Sequence, residues 1–167
     1  LFQQGEESAA FNRQRLSSYE VLCLTHSETS NGTQIRMQEL AEIRSLTSAL
    51  IAIDATSSMG GVAFDWAVGD VWFASVQKCF GLPAGMGVMI CSPKALEKAR
   101  QVKDILRYNS LLFIHENFEK YQTHYTPNTL GVYLLMRVME QIEPISTINQ
   151  RTVKRAESLY QFLENET

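Results

Sequence analysis

The sequence predicts an α/β domain built on a mostly parallel sheet with flanking helices. Short apolar runs at Tyr19–Leu24, Leu50–Ile53, Val71–Ala74 and Gly87–Cys91 alternate with segments whose apolar residues recur every three or four positions. Most of these runs lack the strict alternation of a half-solvated strand, which fits strands covered on both faces. The first three end in polar or small residues, the pattern of loops gathered at one end of a sheet.

Taken in order, residues 1–18 carry no clean period and read as a broken helix or the tail of an earlier element. Tyr19–Leu24 is the first strand, and the Ser/Thr/Asn/Gly cluster after it is a loop whose tight turn falls at Asn31-Gly32. Met37, Leu40, Ile43, Leu46 and Leu50 mark an amphipathic helix of about three turns. Leu50–Ile53 is the next strand and ends at Asp54; small residues follow, and Val62–Ala67 forms a short turn of helix. Val71–Ala74 is the central strand, followed by Ser75-Val76-Gln77-Lys78, a Gly/Pro-rich loop, and the strand Gly87–Cys91. Ser92-Pro93 starts a helix over 94–101, because the serine can cap and proline at the first position loses only an unpartnered amide. Residues 104–126 lack sustained periodicity and read as mostly irregular. A helix over 129–142 follows, apolar enough to require burial, and Pro144 ends it. The last helix runs from Ser146 to Leu163 with Val153, Ala156, Tyr160 and Leu163 on one face.

The 167 residues are 45% apolar, enough for one substantial core, and the formal net charge is −3. Without a basic stripe, nucleic acid and anionic membranes are not expected partners, and no run has the length of a membrane span. Cys23, Cys79 and Cys91, odd in number and without CxxC spacing, fit reduced thiols in a cytoplasmic protein. His26, His115 and His124 form no recognised metal pattern, and Gly81–Gly87 matches neither a phosphate-binding loop nor a dinucleotide fingerprint.

The chemistry-bearing groups stand where ligands bind in parallel sheets, beyond the carboxyl ends of the strands. Lys78 is the candidate nucleophile, since a partly deprotonated amine attacks carbonyls; the alternative is a solvated lysine after a strand. Asp54, ending an apolar strand, calls for a cationic or donor partner, and its alternative is a helix cap or a loop-fixing bond. His26 and Glu28 belong to the first rim loop, with ordinary loop residues as the alternative.

Three stretches, Thr25–Gly32 (THSETSNG), Asp54–Gly60 (DATSSMG) and Ser75–Gly81 (SVQKCFG), together resemble the class V branch of the pyridoxal-phosphate-dependent aminotransferases. Within that branch the Gln-Lys-Cys-Phe-Gly run is most like that of the phosphoserine aminotransferases. The resemblance covers about residues 19–142 and implies part of the large domain of the aspartate-aminotransferase-like fold (PLP fold type I). Residues 1–145 would then be a segment of the cofactor-binding domain, with 146–167 a helix leading toward a small C-terminal domain.

The same resemblance implies pyridoxal 5'-phosphate as cofactor, with Lys78 as the catalytic residue that carries it covalently and then shuttles the proton. It implies Asp54 against the protonated pyridine nitrogen, Gln77 as a phosphate ligand, and Thr29 or Ser30 as the hydroxyl near the ring oxygen or phosphate. Thr126 matches the threonine that reaches a neighbouring subunit's phosphate, hence a homodimer; Tyr125 stands where the phosphoserine enzymes more often have asparagine. No metal is implied. A phosphate loop and a stacking aromatic ring belong upstream of residue 19, and a carboxylate-gripping arginine belongs downstream. Neither is found, so the expectation is a segment of a longer chain, a poor catalyst by itself because substrate positioning carries orders of magnitude in rate. The activity implied is amino-group exchange between an amino acid, phosphoserine with 2-oxoglutarate, and its keto acid. The alternatives are alanine–glyoxylate or serine–pyruvate transamination, or a non-catalytic scaffold of the same fold.

Overall fold

The computed structural model describes residue 16 and residues 18–165. A four-stranded sheet carries the fold: β1 (Val21–Thr25), β4 (Leu50–Asp54), β5 (Val71–Ser75) and β6 (Gly87–Cys91), in that spatial order. The first three are parallel, with Thr25 opposite Asp54 and Asp54 opposite Phe73. β6 returns antiparallel to β5, Ser75 opposite Gly87, the connection over 76–86 being a loop without a helical crossover. All three predicted rim loops therefore leave from one edge of the sheet.

The first rim loop holds more order than its polar composition predicts. Ser27–Glu28 (β2) and Thr33–Gln34 (β3) pair antiparallel. The turn between them closes at Asn31-Gly32, where Gly32 has φ +71° and the Asn31 side chain accepts from the Thr33 amide at 3.1 Å.

Helix α1 (Met37–Ser45) begins with the Glu39 carboxylate accepting from the Arg36 amide at 2.8 Å. It stops short of Leu50, to which the apolar period runs. Arg44 turns back to donate to the Thr47 and Ala49 carbonyls, closing the helix end and releasing Leu50 into β4. The helical turn predicted over 62–67 is confined to a 3₁₀ turn at Trp66–Val68, where the Asp65 side chain accepts from the Ala67 amide at 3.0 Å. Helix α2 (Pro93–Val102) starts as predicted, the Ser92 hydroxyl accepting from the Ala95 amide at 3.1 Å.

One expectation holds in the main and another fails. Residues 104–126 are mostly irregular, but they contain a helix, α3 (Leu111–Phe118), capped by the Ser110 hydroxyl on the Phe113 amide. Its four consecutive apolar residues at 111–114 hide any period, and the serine was the readable signal. The apolar helix α4 (Thr129–Gln141) is not largely buried: Leu130, Val132, Tyr133, Met136 and Met139 are all exposed, and only the stripe containing Leu134, Leu135 and Val138 is half-buried. Apolarity signals that a face needs cover without naming what covers it. Helix α5 (Ile145–Asn165) follows, also without a buried residue, and Asn149 accepts from the Ala63 amide at 3.1 Å.

The core lies around the parallel strands: Leu22, Leu24, Leu40, Ile43, Ile51, Ile53, Trp72 and Val76 are buried, with Leu16 packed among them. The broken helix expected over residues 1–18 lies outside the described residues except at positions 16 and 18. At the amino-terminal edge of the sheet, Asp70 is the hub. Its carboxylate accepts from Arg44 at 2.8 Å, from the Ile51 amide at 3.0 Å and from the Ser92 hydroxyl at 2.9 Å, with Lys94 at 3.6 Å. Burial by itself would raise its pKa, but these donors and cations hold it below the ordinary carboxylate value.

Candidate functional site

The three loops at the carboxyl edge are fastened to one another. Asp54 ends β4, and one of its carboxylate oxygens accepts from the Thr56 amide at 2.9 Å. The chain then coils back, the Ser58 and Met59 amides donating to the Ala55 carbonyl at 3.0 and 2.7 Å. The coil packs on the turn after β5 because it ends in glycine. Gly60 sits at φ +92°, and a Cβ there would stand 3.5 Å from Cys79 Cβ, while one on Gly61 would be 3.1 Å from Cys79 Sγ.

Lys78 lies on that second turn, exposed, and its ammonium donates to the Ser57 hydroxyl at 2.8 Å. Among the described residues it forms no ion pair. One short coil thus carries both the Asp54 carboxylate at its start and the hydroxyl that holds the Lys78 amine. The Ser75 amide meets Thr56 Oγ1 at 3.4 Å, a second bond between the two strand ends. Gln77 is exposed beside Lys78. Burial raises the pKa of the Cys79 thiol, which lies beside Lys78 on this turn.

The first loop joins from the other side. The His26 amide donates to the Asp54 carbonyl at 2.9 Å, and its ring Nδ1 lies 2.8 Å from Ser58 Oγ. Glu28 is close enough to Asp54 and Lys78 to feel both charges; its pKa is lowered chiefly by the Ser30 amide donating at 2.8 Å, with Lys78 assisting and Asp54 opposing. Thr29 and Ser30 form the exposed tip of the β2–β3 hairpin.

Thr126 stands apart from this arrangement. It is exposed in the segment entering α4, and no hydrogen bond joins it to the rim among the described residues. Its neighbour Tyr125 stacks on Tyr108 with ring centroids 4.8 Å apart. Sequence reasoning did not single out Ser57 and Ser58, the hydroxyls that hold Lys78 and His26. Their signal was present but diffuse: small residues between a strand-ending carboxylate and two glycines.

The arrangement offers an amine, a carboxylate, hydroxyls and a carboxamide around one sheet edge. No helix among the described residues is long and apolar enough to cross a membrane.

The family model for class V aminotransferases matches residues 5–166. A phosphoserine aminotransferase from Rhodococcus opacus is 34% identical over 154 residues, covering 88% of this chain and 40% of the relative. The chain therefore spans about 40% of the length of these curated relatives. Among solved structures, a phosphoserine aminotransferase from Cytophaga hutchinsonii superposes with a TM-score of 0.81 at 34% identity, covering 96% of this chain and 46% of that one. An alanine–glyoxylate aminotransferase from Nostoc superposes with a TM-score of 0.72 at 26% identity, covering 92% and 43%. With this family model spanning nearly the whole chain and the rim built at the carboxyl ends of parallel strands, the chain belongs to the class V aminotransferase family.

Proposed function

We propose that this chain carries the cofactor-holding rim of a pyridoxal-phosphate-dependent aminotransferase. The observation that carries the reading is that Asp54 ends β4 and Lys78 follows the adjacent parallel strand β5, with the lysine amine held by Ser57 on the coil that Asp54 heads. The donor set suits the cofactor: an amine for its aldehyde carbon, a carboxylate for its ring nitrogen, and hydroxyl and carboxamide groups for its oxygens. When bound, pyridoxal phosphate supplies an electron sink that acidifies the α-proton of an amino acid.

In this reading Lys78 would hold the cofactor through its Nζ, and that same atom would carry the transferred proton. Asp54 would turn its negative charge toward the pyridine nitrogen and favour the protonated ring. Gln77 binds the phosphate, and Thr29 or Ser30 the ring oxygen or phosphate. Thr126 reaches a partner subunit's phosphate, which makes the whole protein a homodimer; its exposure fits that role. Residues 1–145 form a segment of the cofactor-binding domain and 146–167 lead toward a small domain, with the protein in the cytoplasm.

The substrates proposed are phosphoserine and 2-oxoglutarate, supported by the relatives that carry the phosphoserine aminotransferase name. Tyr125 before Thr126-Pro127, together with the likeness to the Nostoc enzyme, favours alanine–glyoxylate exchange as the second reading. Assays of the full-length protein with paired amino donors and keto acids separate the two. Attachment is tested by borohydride reduction of the cofactor-saturated protein and peptide mass analysis. A single phosphopyridoxyl adduct on the peptide containing Lys78 is expected, and an unmodified Lys78 refutes the assignment.

A further inference from the structure

His26 is buried to 1% exposure in a loop otherwise made of half-buried and exposed residues, a placement that a spacer residue does not need. Its backbone, its ring Nδ1 and its ring edge are all engaged. Its amide donates to the Asp54 carbonyl and its carbonyl accepts from the Ile35 amide, each at 2.9 Å. Its ring Nδ1 faces Ser58 Oγ at 2.8 Å and Ser27 Oγ at 3.2 Å. The ring edge meets Phe64, centroids 5.0 Å apart and planes at 81°, and Phe64 stacks on Trp72 of β5 at 4.7 Å.

We propose that His26 is a positioning residue that locks the Asp54–Lys78 rim, tying the β2–β3 hairpin to the coil 55–61 through Ser58. This rests on the functional reading above. The physical case is one of connectivity. The coil after Asp54 contains two glycines and spans the gap between its neighbours, so its conformation is set by what grips it. On one side it is gripped by Lys78 on Ser57 and by Cys79 and Phe80 packed on Gly60 and Gly61. On the other side the gripping side chain is His26, through the buried Ser58 hydroxyl. A loosened coil would let Asp54's neighbours Thr56 and Ser57 drift relative to Thr29 and Ser30, and the rim would lose a common geometry. Because burial favours the neutral imidazole, His26 fastens the coil without placing a cation beside Lys78 or an incoming phosphate.

The test compares wild type, His26→Asn and His26→Leu by amide hydrogen exchange read by mass spectrometry, with pyridoxal phosphate affinity measured in parallel from its visible absorbance. Asparagine places a polar atom near the Nδ1 position, whereas leucine fills the space without one. In His26→Leu, residues 27–34 and 55–61 are expected to exchange about tenfold faster, the factor a lost hydrogen bond commands, with 69–72 and 92–95 unchanged. His26→Asn restores most of that protection, and the cofactor dissociation constant follows the same order, rising about tenfold in the leucine variant alone. Exchange that rises uniformly across the sheet, or that stays at wild-type levels in both loops, overturns the proposal. A wild-type protein that binds no pyridoxal phosphate refutes the functional reading instead, while the exchange pattern still decides the role of His26.

Discussion

Replacing Asp70 by alanine removes the acceptor that joins four elements at the edge of the sheet opposite the rim. The Ile51 amide, on a strand residue with 0% exposure, loses its partner at 3.0 Å and has no water to turn to. Such an orphaned donor costs about 1–3 kcal/mol. Arg44, 23% exposed, loses a charge-assisted bond of 2.8 Å but keeps its two backbone carbonyls, which limits that loss to about 1 kcal/mol. Lys94 is 48% exposed and 3.6 Å away, so solvent screens its share to almost nothing. The expected total is about 3 kcal/mol for Asp70→Ala. Asp70→Asn, which leaves an acceptor for the Ile51 amide, should cost about half as much. Urea unfolding followed by tryptophan fluorescence measures both, because Trp72 is 1% exposed and reports on the core. An Asp70→Ala loss below about 1 kcal/mol, or one no larger than that of Asp70→Asn, would refute this reasoning. Since Lys78 and Asp54 lie at the far ends of the strands, the folded variants should bind pyridoxal phosphate as the wild type does.

Three further outcomes are expected. His26 has an ordinary pKa of 6.5, lowered to about 4 by burial, so between these values the unfolded chain binds more protons than the folded one. Stability therefore falls as pH drops from 6.5 toward 4, by about 3 kcal/mol in total. Denaturation curves across that range should show this slope in wild type and lack it in His26→Asn. Gly69→Ala would place a Cβ 2.6 Å from Trp72 Nε1 and 2.9 Å from Ile53 Cδ1, so the buried indole must shift. A loss of about 1–3 kcal/mol is expected, read in the same urea assay. Asp54→Asn in the full-length protein should leave folding intact and lower kcat by about a hundredfold or more. Near wild-type turnover would remove Asp54 from its proposed role.

How much was legible in the residues can be judged element by element. Five-residue apolar strands, a serine-capped helix after Cys91 and the Asn31-Gly32 turn are written in local composition, because each depends on side chains next to one another in the chain. Burial nevertheless alternates along β1, β4 and β5, where the sequence predicts cover on both faces. The likeness of three short motifs likewise pointed to the family before any coordinates. Helix α3 was missed because its run of apolar residues has no period to read.

By itself the sequence determined the order of the four main strands and of helices α1, α2, α4 and α5, the polar character of the strand ends, and Lys78 and Asp54 as the groups worth attention. Only the tertiary structure decided that β1, β4 and β5 run parallel side by side, since register depends on pairing between distant segments. It also decided which small residues matter: Ser57 and Ser58 have unremarkable chemistry until folding brings one to Lys78 and the other to His26. The exposed apolar flank of α4 marks the same divide. Hydropathy records how much surface must leave water, but which surface meets which is settled by the arrangement of elements far apart in the chain.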